Sequence, residues 1–368
     1  MRFKIANSSG KYGIYSVVKS RGSEEEIKNQ GHSYWKIQEN GVYSYPEEKL
    51  ISMSDESYSK ASELDDFDVI EVFPDGTVNQ YYDDSSLENI FFITEKCNSN
   101  CIMCPSPDSS RLRGEMSSVE NLIDLADHIP DDAGHFTITG GEPFMLGKRI
   151  FDFLSFLKNK FQRTEFQILT NGRIFAVEEY SNLLAANMPA NTVLGIPVHA
   201  STSSIHDAIT RAGGSFEQTV RGIKNLLERN VRIEIRIVVN AINAENLPAL
   251  ATMIIRDFPA VSHVSIMGME MTGNAWVNRQ KVWISYTVAF RYIRTAVNIM
   301  IDGGMDVWLY NFPLCTVDPE LWALCKKSIS SYKVKYKDEC EKCRMKDACG
   351  GVFAGTYSIE EEEIRAIV

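Results

Sequence analysis

Two rhythms of apolar and polar positions divide the chain. Over residues 1–88, short alternating runs such as YGIYSVV and SYWKI predict β-strands in a stretch rich in Tyr, Ser, Asp and Glu. Within it, FDVIEVF-PDG-TVNQYY predicts a hairpin closed by a Pro-Asp-Gly turn. From residue 89 the rhythm becomes strand, then helix, repeated. The strand candidates are NIFFIT (89–94), HFTITG (135–140), FQILTN (166–171), TVLGIPVH (192–199), VRIEIRIVV (231–239) and HVSIMGM (263–269). Between them lie amphipathic stretches such as SVENLIDLADHI, FDFLSFLKNKF, SFEQTVRGIKNLLERN and AENLPALATMIIRDF. Short apolar strands alternating with helices predict a parallel sheet buried on both faces. Right-handed crossovers would wind it into an open, partial (β/α)6 barrel.

A further helix (284–302) and a strand, MDVWLYN (305–311), lead into an irregular C-terminal segment. There LWALCKKS reads as helix, and Glu360 to Glu363 read as a solvated acidic tail. The expected organisation is α/β: a small β-rich unit (1–88), a partial barrel (89–311) and a cysteine-bearing segment with an acidic tail (312–368).

Composition narrows the classes. The 368 residues are 44% hydrophobic and 24% charged, ordinary for a soluble protein, and no apolar run approaches the length of a membrane helix. The N-terminus lacks a secretory signal, which points to the cytoplasm. A net charge of −11 disfavours general nucleic-acid binding. Residues 326–346 nevertheless carry eight Lys or Arg, either a solvated face or a dock for an acidic ligand.

The eight cysteines fall into two groups, which favours metal ligation over disulfides in a reducing compartment. Cys97, Cys101 and Cys104 form CX3CX2C directly after the first strand. A zinc site wants four ligands and a disulfide an even count. Three thiolates can hold three irons of a cubane [4Fe–4S] cluster and leave the fourth iron open to a small molecule. The second strand runs into Gly140-Gly141-Glu142-Pro143. Paired glycines there let backbone approach a ligand, and a carboxylate can accept from an ammonium group.

With both signals in place, the chain resembles the radical SAM superfamily from about Asn89 to Asn311. The resemblance implies S-adenosylmethionine chelating the open iron, reductive cleavage to a 5′-deoxyadenosyl radical, and hydrogen abstraction from a substrate. It implies that Gly140, Gly141 and Glu142, with Pro143 fixing the turn, hold the methionyl amino group. Asn171 would contact the methionine and Arg236 the carboxylate, unless Arg236 only neutralises a neighbouring acid. His199 or Ser201 would face the ribose, where IPVHAST departs from the usual pattern. Met267, with Met269, would line the adenine pocket or simply pack in the core. Met103 stands where an aromatic often precedes the third cysteine. His206-Asp207 reads as a structural pair at a helix start more readily than as catalytic.

The second group is Cys315, Cys325 and CX2CX5C (Cys340, Cys343, Cys349). Cys315 with Cys340, Cys343 and Cys349 could hold one auxiliary [4Fe–4S] cluster. Cys325 in place of Cys315, or a structural zinc, are the alternatives. The segment resembles the SPASM and twitch extensions, with too few cysteines for two clusters. Together with YNFPLC and MGMEMTGNA, the pattern is similar to the His-Xaa-Ser system radical SAM maturases. That likeness implies a precursor peptide as substrate and a reductant such as flavodoxin or ferredoxin. Two other classes remain: a radical SAM enzyme for a small molecule, nucleotide or RNA, and a non-enzymatic iron–sulfur redox sensor. CX3CX2C with GGEP disfavours the last.

Overall fold

In the computed structural model, residues 1–5, 10–39, 41–359 and 363–368 are described. The first sheet has seven strands: β1 (Arg2–Lys4), β2 (Gly13–Val18), β3 (Tyr34–Gln38), β4 (Gly41–Tyr45), β5 (Lys49–Leu50), β6 (Val69–Val72) and β7 (Thr77–Tyr82). They lie in the order β1-β7-β6-β2-β3-β4-β5. The β6–β7 pair is the expected hairpin, with Val72 opposite Val78. Two helices, Arg21–Gln30 and Asp55–Ser62, were not anticipated. Each starts at a serine, Ser20 or Ser54, whose hydroxyl accepts from the backbone three residues on. Val17, Trp35, Val42 and Ile70 fill one face of this sheet. Ile14, Val69 and Tyr82 instead join the barrel's own apolar core beside Phe91 and Phe136. This sheet is therefore packed onto the barrel.

The second sheet is parallel throughout and runs β15-β14-β13-β12-β11-β10-β9-β8. Its strands are β8 (Ile90–Phe92), β9 (His135–Thr139), β10 (Glu165–Leu169), β11 (Thr192–Pro197), β12 (Ile233–Val238), β13 (His263–Met267), β14 (Val307–Tyr310) and β15 (Cys325–Lys326). The six expected strands are β8 to β13, in sequential order, and MDVWLYN supplies β14. On β9 to β12 the alternate residues Phe136, Ile138, Phe166, Ile168, Leu194, Ile196, Ile233 and Ile235 are buried in the core. Their neighbours, among them Thr137, Gln167, Gly195 and Arg236, share the other face. The amphipathic helices Val119–His128, Ile150–Lys160, Ser215–Leu227 and Leu247–Asp257 connect the strands, and Tyr286–Asp302 packs along Leu247–Asp257.

One expectation about the C-terminal segment is overturned. LWALCKKS is not an α-helix. Pro319–Leu324 is a 3-10 turn, and Cys325 begins β15, pairing with Leu309. Pro319 at the start suits a helical turn, but the stretch is too short to propagate beyond it. The acidic tail falls partly on residues 360–362, outside the described residues. Past residue 362, Glu363 accepts from the Thr287 N–H at 3.1 Å, and Ile364 is buried in the barrel core.

Candidate active site

The three-cysteine loop leaves the first strand at the sheet edge and is held from several sides. Asn100 N–H donates to Thr210 O at 2.9 Å, and Ile102 N–H to Ile209 O at 2.8 Å. Arg111, buried beneath the loop, donates to Asn100 and Asp108. The stretch after β13 clamps the far side. Asn274 N–H donates to Cys104 O at 2.9 Å, and its side chain donates to Asp108 at 2.8 Å. Asn278 donates to Ile102 O at 3.2 Å. Gly273, at φ 54°, lies so close that an added Cβ would stand 2.1 Å from Pro105 O.

The paired glycines dock on the same loop through backbone. Gly141 N–H donates to Thr94 O at 2.6 Å, and Glu142 N–H to Lys96 O at 2.8 Å. A Cβ on Gly140, at φ 152°, would lie 2.3 Å from Thr94 O, and one on Gly141 2.3 Å from Lys96 O. The glycines are thus required by the contact between the two motifs. Glu142 turns inward and is almost wholly buried. Its carboxylate accepts from Thr170 Oγ1 at 2.8 Å, Asn171 N–H at 2.7 Å and Phe144 N–H at 3.2 Å. Burial pushes its pKa up, while these donors pull the other way. The side chain therefore ties this turn to the end of β10.

Asn171 stands beside the cysteines. Its amide donates to Asn98 Oδ1 at 2.6 Å and reaches Cys97 Sγ at 4.0 Å. Arg173, two residues on, donates to Asn98 O at 2.5 Å and Ser99 Oγ at 3.0 Å. Ser99 N–H donates in turn to Cys97 Sγ at 3.4 Å. Burial pushes the Cys101 thiol up to about 12, and the neighbouring Cys104 and Cys97 sulfurs add to it. Burial raises the Cys97 thiol as well; a bound cation would offset that penalty, and soft thiolates suit iron. The donor set fits an iron–sulfur cluster. Among the described residues, no group of three or more His, Cys, Asp or Glu is arranged to hold a single metal ion.

Further along the same face, Arg236 occupies the register of Pro197 and Ser265. Its Nη1 lies 3.0 Å from both oxygens of Glu234. Met267 is half-buried on this face. Met103 and Ile102, on the cysteine loop itself, pack with Met269, Ile209 and Met271. Ser201 is committed to Asn246, donating its N–H at 2.7 Å and accepting at Oγ at 2.9 Å. His199 is buried, its N–H donating to His206 Nδ1 at 3.2 Å and its own Nδ1 unpartnered. Burial lowers its pKa to about 3, so the ring is neutral. Asp207 accepts from Gly214 N–H, Ser215 Oγ and Phe216 N–H, capping the next helix, which is a structural role.

The second group converges on a separate small pocket. Cys315, Cys340, Cys343 and Cys349 line it, and Cys325 does not. Backbone N–H groups already point at the sulfurs: Leu314 and Gly351 at Cys349, each 3.4 Å, and Ile367 at Cys343, 3.3 Å. Such donors stabilise thiolate and tune a cluster's potential. The chain's last residues thus close this cavity. All eight cysteines are free thiols. Part of the basic stretch is committed: Lys337 is buried with Nζ 2.5 Å from Tyr357 O, Lys333 pairs with Glu270, and Lys326 sits 3.5 Å over the Trp308 ring, while Lys327, Lys335, Lys342 and Arg344 are exposed.

Residues Arg111, Arg173, Glu234 and Asn274 were missed by sequence reasoning. Arg173 follows LTNG directly and Asn274 lies in MEMTGNA, so their places by the motifs were visible but their partners were not.

Residues 91–254 match the model of the Radical SAM superfamily, and over that stretch the chain carries a radical SAM domain. Among curated relatives it is 29% identical, over 42% of its length, to the antilisterial bacteriocin subtilosin biosynthesis protein AlbA of Bacillus subtilis (strain 168). It is 22% identical, over 65% of its length, to the Fe-coproporphyrin III synthase of Methanosarcina barkeri (strain Fusaro / DSM 804). These alignments take in 33% and 57% of the two relatives' own lengths. Among solved structures, Streptococcus suis SuiB bound to precursor peptide SuiA superposes at a TM-score of 0.52 and 15% identity. It covers 65% of this chain and 52% of that one, and it shows a shared fold. No helix among the described residues is long and apolar enough to cross a membrane.

Proposed function

We propose that this chain is a radical SAM enzyme that matures a ribosomally made peptide by abstracting hydrogen from one of its residues, leading to a crosslink, an epimerised centre or an oxidised one. The observation that carries the radical SAM part is the docking of the Gly140-Gly141 turn on the Cys97–Cys104 loop by backbone hydrogen bonds, with no room for a Cβ. Cys97, Cys101 and Cys104 would hold a [4Fe–4S] cluster with one open iron. Bound there, the cluster and S-adenosylmethionine supply a reductively generated carbon radical. The chain's own residues orient and shield. The backbone of Gly140 to Glu142 faces the methionyl amino group, Glu142 and Pro143 hold that turn, and Asn171 lies beside it. Arg236 meets the carboxylate and Met267 borders the adenine. His199, Ser201 and Met103 are turned into the fold and act as supports.

Peptide as the substrate class is supported by the relative in subtilosin biosynthesis and by the second cysteine cavity. Cys315, Cys340, Cys343 and Cys349 would hold one auxiliary [4Fe–4S] cluster there. The N-terminal sheet, whose outer strands β1 and β5 each pair on one side, offers edges to an extended leader peptide. Eight reduced thiols suit the cytoplasm and a flavodoxin or ferredoxin as electron source. A second reading, a small-molecule substrate, is favoured by the Methanosarcina relative. The discriminating experiment measures 5′-deoxyadenosine formed with dithionite, with and without candidate precursor peptides encoded beside the gene. Stimulation by one peptide, with a matching mass change in it, supports maturation. Peptide-independent turnover of a small metabolite favours the second reading.

A further inference from the structure

Arg236 and Glu234 lie two apart on β12 and so share a face, about 7 Å apart along the strand. For their heads to meet, the arginine must fold back over the neighbouring strand. It crosses Gly195 on β11, where an added Cβ would stand 2.8 Å from Arg236 Cδ and 3.3 Å from Glu234 Oε2. Gly195 is not at a positive φ, so the position asks for space and not for a glycine backbone. Below, Glu234 is 1% exposed. It accepts from Gln167 Nε2 at 2.7 Å, and His263 Nε2 lies 3.8 Å away. The guanidinium is the charge that balances it, with Nη1 centred between the two carboxylate oxygens. Nε and Nη2 have no protein partner among the described residues, and the side chain keeps 22% of its surface exposed. A planar guanidinium held at one nitrogen presents the rest of its fork to a second carboxylate.

We propose that Gly195, Gln167 and Glu234 form a seat for Arg236, and that this seat fixes the guanidinium for the methionyl carboxylate of S-adenosylmethionine. Glu234 and Gly195 are positioning residues that touch no ligand. The inference rests on Arg236 meeting that carboxylate. The test is equilibrium dialysis of the reconstituted enzyme with S-adenosylmethionine and, separately, with its decarboxylated analogue. Glu234→Gln and Gly195→Ala each weaken S-adenosylmethionine by about tenfold, the loss of one well-aligned charged contact. Both leave affinity for the decarboxylated analogue unchanged, which a general loosening of the fold would not do. Wild-type affinity for S-adenosylmethionine in both variants, with weakening in Arg236→Ala, overturns the seat and leaves the role of Arg236 standing. Wild-type affinity in Arg236→Ala as well overturns both. Equal losses for the two ligands overturn the seat in favour of a structural role. Should Glu234→Gln fail to fold, Gly195→Ala, which changes no charge, decides alone.

Discussion

Replacing Gly141 by alanine adds one methyl group and changes no charge. The new Cβ would stand 2.3 Å from Lys96 O and 2.5 Å from Glu95 O. Both obstacles are backbone, so no side chain can swing aside. The turn must lift off the cysteine loop, stretching the hydrogen bonds from Gly141 N–H to Thr94 O and from Glu142 N–H to Lys96 O. Two such bonds contribute roughly 1–3 kcal/mol net, and the steric strain adds a similar amount. The expected loss is about 2–6 kcal/mol, a fall of roughly 4–24 °C in melting temperature for a unit of this size. Glu142 moves with the turn, so the contact of its carboxylate with Asn171 loosens too. Calorimetry of the metal-free protein reads the stability, and iron analysis after anaerobic reconstitution reads the site. A Gly141→Ala protein that melts with the wild type and takes up the same iron refutes the docking argument.

Four further outcomes are expected. Cys325→Ser keeps all the iron of the wild type, whereas Cys349→Ala loses about four irons per chain, read by iron and sulfide analysis. Asp68, buried in the first sheet, has its pKa raised to about 6 by burial. The folded state therefore keeps the proton longer than the unfolded one, and this group's contribution falls as pH rises from about 4 to above 6. The fall is on the order of 2–3 kcal/mol. Asp68→Asn removes that component, visible as a smaller difference in β2 and β6 hydrogen-exchange protection between pH 4.5 and 7. Lys337→Glu buries a charge against Tyr357 O and lowers the melting temperature, while Lys335→Glu, at an exposed position, leaves it within a degree or two. Arg111→Met frees the underside of the cysteine loop from Asn100 and Asp108, and its reconstituted protein loses its first cluster faster in a chelator challenge.

The order of β8 to β14 was legible because each strand is a short apolar run and each crossover a 3.6-residue pattern. The two cysteine groups were legible because ligand spacing is a local property, but spacing left Cys315 and Cys325 as alternatives. Only the fold puts Cys315, and not Cys325, in the pocket with Cys340, Cys343 and Cys349. Local signals misled where polar residues form helices: RGSEEEIKNQ is held by its Ser20 cap and a few buried positions such as Ile27. LWALC misled the other way, its apolar residues packing as a 3-10 turn and a strand end. Gly195 carried no signal at all, because its reason is the side chains of Arg236 and Leu169 on the strands to either side. Glu234 and Arg236 showed their shared face by spacing, yet nothing local revealed that one would be sealed from solvent beneath the other. His199 and Ser201 sit at the strand end where a ligand contact was expected, and tertiary partners turned them inward.

The most direct test of the account is anaerobic reconstitution of the wild type and of a Cys97→Ala/Cys101→Ala/Cys104→Ala variant. Each is assayed for iron and for 5′-deoxyadenosine after incubation with S-adenosylmethionine and dithionite. The account predicts about eight irons per chain falling to about four, with nucleoside formation lost in the variant. Nucleoside formation that survives the triple substitution, or none from a fully loaded wild type, contradicts it.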